Sequence, residues 1–200
     1  MPEQEMTQNE EDRPRVVAIL GSPRRKGNCA TVLRAALAEL EQRSTGTEIV
    51  HLSAHDIRYC AGHDNCGQRE RCPINDDAAA VLDRFYQADG VILASPVYAD
   101  NVSGQMKVFL DRACHDYARG RRLRARAIGL VAVADSSELD DALAAMSRAL
   151  AFVRRGPVPA FTVKGYATLL GDAAKNDRLM ESARELGRRM ADALQAASAR

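Results

Sequence analysis

Short, fully apolar runs alternate along the chain with segments whose apolar residues recur every three or four positions. Val16-Val17-Ala18-Ile19-Leu20 is apolar throughout, as a strand covered on both faces must be. From Asn28 to Arg43 the residues Val32, Leu33, Ala36, Leu37 and Leu40 fall on one face of a helix. A second strand is expected over Thr47–Leu52, followed by an irregular stretch, 54–75. Asp76 and Asp77 can cap a helix reaching Ala88, with Val81, Leu82 and Phe85 inward. Gly90–Ser95 reads as a third strand, Pro96–Asn101 as a turn and Gly104–Tyr117 as a helix. A fourth strand, Ala127–Val133, precedes a helix with Leu139, Leu143, Met146, Leu150 and Val153 on one face. Ala160–Lys164 reads as a fifth strand. Asp177–Ala197 closes the chain as a helix with Leu179, Ala183, Leu186, Met190 and Leu194 inward.

Strands alternating with helices are the signature of βαβ units, and right-handed crossovers turn such a series into a doubly wound parallel sheet. The commonest five-stranded solution is the flavodoxin-like order 2-1-3-4-5, an α/β fold in which ligands bind beyond the carboxyl ends of the strands. Residues 1–14 are polar, acidic and aperiodic, and are read as a disordered tail ahead of one domain over 15–200. No internal repeat and no later linker is visible.

Composition narrows the function classes. Lys+Arg is 28 and Asp+Glu 27, giving a net charge of +1, so there is no electrostatic footprint for nucleic acid and no polybasic segment aimed at a membrane. No apolar run approaches the ~20 residues of a bilayer span, and the N-terminus lacks the apolar core of a signal peptide. A cytoplasmic location is expected, in which five cysteines are ligands, reactive thiols or core residues rather than disulfides.

The segment from Gly21 to Thr31 follows the first strand and opens the first helix. A helix N-terminus offers unpaired N–H groups and partial positive charge, both suited to phosphate. The backbone of Gly27, Asn28, Cys29 and Ala30 can donate, the side chains of Ser22, Asn28 and Thr31 can add donors, and Arg24 adds charge. The segment is neither GxxxxGK[ST] nor GxGxxG, so a terminal phosphate monoester fits better than a triphosphate or a dinucleotide. The competing reading is an exposed basic turn.

GSPRRKGNCATVL resembles the phosphate loop of the NAD(P)H-dependent FMN reductase family, with Cys29 where relatives usually carry Ser or Thr. The segment from Ser95 to Lys107, continued by Phe109-Leu110-Asp111-Arg112, resembles that family's second flavin loop. The resemblance extends through the last helix, from 15 to about 195. It implies an FMN site in which Pro96, Val97, Tyr98, Ala99 and Asn101 border the isoalloxazine. It also implies that Tyr98, Asp100 and Asn101 are the candidates for assisting proton transfer. A third flavin loop is expected at Ala134–Glu138, where relatives are often richer in Gly.

Cys60-x2-His63-x2-Cys66-x5-Cys72-Pro73 resembles the cluster segment of the iron–sulfur flavoproteins, a branch of the same family, with His63 in place of the second cysteine. Three readings stand open: a four-iron cluster with His63 or a non-protein ligand at one iron, a three-iron cluster on the thiolates, or a metal-free loop. A Cys3His zinc site has the right ligand types but tight spacing. Cys114 is read as core, and His51, His55 and His115 as structural or exposed.

The resemblance implies a soluble FMN-dependent oxidoreductase that moves hydride or electrons between NAD(P)H and a small acceptor such as a flavin or quinone, working as a homodimer or homotetramer. Two further readings remain. One is an FMN and iron–sulfur dehydrogenase of a specific metabolite, of the 2-amino-2-deoxyisochorismate type. The other is an electron carrier, against which the neutral charge weighs.

Overall fold

A computed structural model describes residues 13–198; most of the expected tail lies outside the described residues. The elements are β1 Arg15–Leu20, α1 Asn28–Gln42, β2 Gly46–His51, α2 Ala78–Gln87, β3 Gly90–Tyr98, β4 Asn101–Val102, α3 Gly104–Arg112, α4 Cys114–Ala118, β5 Ala127–Ala134, α5 Leu139–Val153, β6 Ala160–Tyr166, α6 Asp172–Lys175 and α7 Asp177–Ser198. The main sheet runs β2-β1-β3-β5-β6, all parallel. Setting aside β4, which pairs antiparallel with the end of β3, this is the flavodoxin-like order.

Alternation along β1 shows how the layers form. Val17 and Ile19 join one core with Phe85, Met106, Phe109, Met146 and Leu150 from α2, α3 and α5. Val16, Ala18 and Leu20 join the other with Leu33 from α1 and Leu186 and Met190 from α7. Successive strand residues point to opposite faces, so only an unbroken apolar run serves both layers. No helix among the described residues is long and apolar enough to cross a membrane.

Four local expectations are corrected. The stretch expected as one helix over 104–117 is two helices, broken at Ala113. Met106, Phe109 and Ala113 form its buried face. Cys114, about 100° further round the helix, is exposed rather than core. Asp77 stands at the N-cap of α2 without a side-chain cap; its carboxylate accepts from Asp56 N at 2.8 Å, while Asp76 Oδ1 accepts from Ala78 N at 3.1 Å. Finally, β3 extends three residues beyond Ser95, and the short helix α6 lies between β6 and α7.

Candidate functional site

The carboxyl ends of the central strands open into a cleft of about 400 Å³, within the size of small-ligand sites, about 300–1,000 Å³. Four segments wall it: Ser22, Arg24 and Gly27 with the first turn of α1; Pro96–Ala99; Val133, Ala134, Asp135 and Ser137 at the end of β5; and Ala167–Thr168 after β6.

The first wall is a tight turn. Gly27 N donates to Arg24 C=O at 3.0 Å, and Ser22 Oγ accepts from Arg24 N at 3.2 Å. Gly27 is the N-cap of α1 and supplies no side-chain cap. The first-turn N–H groups therefore have no side-chain acceptor, at the positive end of a fifteen-residue helix. That donor set, with Arg24 on the same cleft, fits a phosphate monoester.

Two expected side-chain contacts are corrected here. Asn28 does not hold its amide free for phosphate: Nδ2 donates to Ala167 C=O at 3.1 Å and Leu169 C=O at 2.8 Å. Its Oδ1 accepts from Gly171 N at 3.0 Å and Ala173 N at 3.3 Å. Thr31 donates its hydroxyl to Gly27 C=O at 3.3 Å and, like the fully buried Ala30, does not line the cleft. Cys29 is buried, and burial pushes its thiol up to about 12, so it carries no charge and is a weak donor.

The second wall is a hairpin. Val97 pairs with Val102 and Tyr98 with Asn101, across Ala99 and Asp100 at φ +50° and +55°. Two consecutive left-handed residues make a type I′ turn. At Ala99 this backbone costs about 1–3 kcal/mol, strain stored in a residue that lines the cleft. Tyr98 lines it too and is half exposed. Asp100 and Asn101, expected beside it, are not brought to the cleft, because the two-residue turn reverses the chain. Asp100 Oδ1 accepts from Glu138 N at 3.1 Å, clasping the third loop, and Asn101 Oδ1 accepts from Val102 N at 2.8 Å.

Two buried serines lock the first two walls together. Ser103 Oγ donates to Gly21 C=O at 2.6 Å and accepts from Met106 N at 3.2 Å as the N-cap of α3. Ser95 Oγ accepts from Ser103 N at 2.9 Å and donates to Pro96 C=O at 2.8 Å.

The cysteine loop stands apart from this cleft. Cys60 Sγ accepts from Gly62 N at 3.5 Å, the Cys66 thiol donates to His63 C=O at 3.2 Å, and Cys72 Sγ accepts from Arg112 Nη2 at 3.6 Å. Among the described residues no three or more His, Cys, Asp or Glu side chains are placed to hold a metal ion. Cys60, His63, Cys66 and Cys72 are thus not gathered as a set in this structure. His55 and His115 stand 3.7 Å from Asp77 and Asp116. Burial, then the charges of Arg25 and Arg34, lower the His51 pKa. None of the three lines the cleft.

Sequence reasoning missed the Ala167–Thr168 wall, which carries no motif, and the buried Asp76–Arg112 pair. An arginine three residues after Phe109, on an otherwise apolar face, was the available signal for the pair.

Comparison with known proteins agrees with this geometry. The family model described as NADPH-dependent FMN reductase matches residues 14–168. An iron-sulfur flavoprotein of Archaeoglobus fulgidus is 35% identical over 182 residues, covering 90% of this chain and 80% of the relative. One of Methanocaldococcus jannaschii is 31% identical over 186 residues, covering 89% and 96%. The solved NAD(P)H:quinone oxidoreductase from Methanothermobacter marburgensis superposes with a TM-score of 0.69 at 20% identity, covering 89% of this chain and 97% of that one, which shows the shared fold. With a family match over most of its length, and with the family's two loops meeting at one cleft, this chain belongs to the NADPH-dependent FMN reductase family.

Proposed function

We propose that the cleft holds FMN and that the protein transfers hydride or electrons from NADH or NADPH to a small-molecule acceptor, a flavin or quinone. Family membership makes the chain an FMN-dependent oxidoreductase. The observation carrying the assignment of the site is that an uncapped helix N-terminus, Arg24 and the strained Tyr98–Ala99 hairpin border one cleft. Bound FMN supplies the redox chemistry, accepting hydride at its N5. The first-turn N–H groups of α1 and Arg24 would hold its phosphate, and Pro96–Ala99 would border its ring. Tyr98, half exposed at the mouth, is the remaining candidate for contacting substrate.

The test is chromatography of acid-released flavin, with steady-state oxidation of NADH and NADPH. FMN together with turnover supports the reading; FAD, or no flavin after reconstitution, defeats it.

An iron–sulfur cluster on Cys60, Cys66 and Cys72 is supported by the motif and by the names of the relatives. Among the described residues no set of three or more His, Cys, Asp or Glu is gathered at the loop, and no step is routed through a cluster. Iron and sulfide assays on anaerobically purified protein decide the question. A homodimer or homotetramer is supported by the exposed large side chains Tyr98, Tyr166, Leu169 and Leu170 on and beside the cleft-lining segments, which a partner would cover.

A further inference from the structure

We propose that Asn28 is a positioning residue that makes the phosphate-binding turn of α1 and the 167–173 segment one mechanical unit, so that seating the cofactor phosphate and ordering the fourth wall of the cleft are coupled. This rests on the reading of the cleft as the FMN site.

The side chain of Asn28 uses both amide hydrogens and both lone-pair positions of its oxygen on a single segment: two donated bonds to Ala167 and Leu169, two accepted from Gly171 and Ala173. An amide side chain can satisfy no more than this. Beyond Asn28, the two ends of the segment, Ala167 and Ala173, are buried in the core, while its middle has few backbone bonds. The segment has one bond back to the sheet, Ala167 N to Ala134 C=O at 2.8 Å, and a local clasp in which Leu169 N donates to Asp172 Oδ2 at 2.7 Å. Its tip, Thr168, Leu169 and Leu170, is exposed, and Gly171 turns it at φ +91°. Yet Ala167 and Thr168 line the cleft.

The backbone of Asn28 is the first residue of α1, in the turn that faces the phosphate, so one residue serves both walls. A ligand that fixes this turn thereby fixes the anchor of the segment, and the segment in its docked position holds the turn ready for the ligand. Coupling of this kind is reciprocal. It predicts that loosening either side weakens the other, a result that a purely local role for Asn28 does not produce.

The experiment measures FMN dissociation by quenching of flavin fluorescence, and amide hydrogen exchange over 164–175, with and without FMN. Wild type, Asn28→Ala and Gly171→Ala are compared. Gly171→Ala strains the segment where it meets the Asn28 side chain and changes no residue of the phosphate turn; its added methyl meets open space but a backbone angle that L residues rarely adopt. The expected result is that FMN slows exchange of the segment in wild type, and that both variants bind FMN about tenfold more weakly or worse. Unchanged FMN affinity in a folded Asn28→Ala protein overturns the inference and leaves the FMN reading standing. If Asn28→Ala does not fold, Gly171→Ala decides, and unchanged affinity there overturns it equally. Wild-type protein that takes up no FMN overturns the underlying reading and the inference with it, and the wild-type titration alone reports that outcome.

Discussion

Arg112 grips Asp76 through both terminal nitrogens, Nη2 to Oδ1 at 3.1 Å and Nη1 to Oδ2, with the two side chains 3% and 1% exposed. The fork also organises the cysteine loop. Arg112 donates to Arg58 C=O at 2.9 Å and to Cys72 Sγ at 3.6 Å, and Arg58 N donates to Asp76 Oδ2 at 3.0 Å. Removing one member of a buried pair strands the other and costs about 3–5 kcal/mol, whereas replacing both with apolar residues is often nearly neutral. Arg112→Met should therefore lower the stability measured by urea unfolding by about that amount, and Arg112→Met with Asp76→Leu by much less. A loss below about 1 kcal/mol for the single variant, the range of exposed pairs, would show the pair to be solvated.

The same pair sets an acid dependence. Burial raises the Asp76 pKa, but the Arg112 hydrogen bonds and the N–H groups of Arg58 and Ala78 outweigh it and hold the carboxyl below its ordinary range. A depressed folded-state pKa contributes stability that is fully present above the unfolded value, about 3.9, and is lost as pH falls through the folded value. Urea midpoints taken from about pH 5 downward should fall less steeply in Asp76→Asn than in wild type, although the variant starts lower. Parallel slopes would refute the assignment.

Arg24 lines the cleft beside the uncapped turn. A charge-assisted hydrogen bond is worth about 1.5–3 kcal/mol, so Arg24→Ala should weaken FMN by roughly tenfold or more. Arg25 does not line the cleft, and Arg25→Ala should bind FMN nearly as wild type does. Equal losses in the two variants would reduce the effect to general surface charge.

Gly187 lies in the middle of α7, where alanine would ordinarily gain about 1 kcal/mol of helix propensity. Here a methyl group would fall onto the Ala36 carbonyl oxygen of α1 and within 2.8 Å of Glu39 Cβ. Backbone cannot yield as a flexible side chain does, and overpacking costs about 1–3 kcal/mol or more. Gly187→Ala should lower the melting temperature; a rise would mean that α1 and α7 part easily.

The apolar run Val16–Leu20 announced a strand buried on both faces, and the three-four spacing from Leu179 to Leu194 announced the helix covering one of them. Two loops placed after the first and third strands were enough to locate the cleft. Periodicity sees faces and motifs see loops, because both depend on residues near one another in sequence.

What the sequence by itself determined was therefore the fold, the family and the end of the sheet where ligands bind. The tertiary structure alone decided which polar side chains are free to act there. Asn28 reads as a phosphate donor until residues 139 to 145 positions away take its amide. Asp100 and Asn101 read as catalytic candidates until a two-residue turn carries them off. Cys72 reads as one of a loop's thiols until the fold shows Arg112, held by Asp76 from another helix's start, donating to its sulfur. A side chain's hydrogen-bonding capacity is finite, and which partners claim it is settled by contacts between segments far apart in the chain.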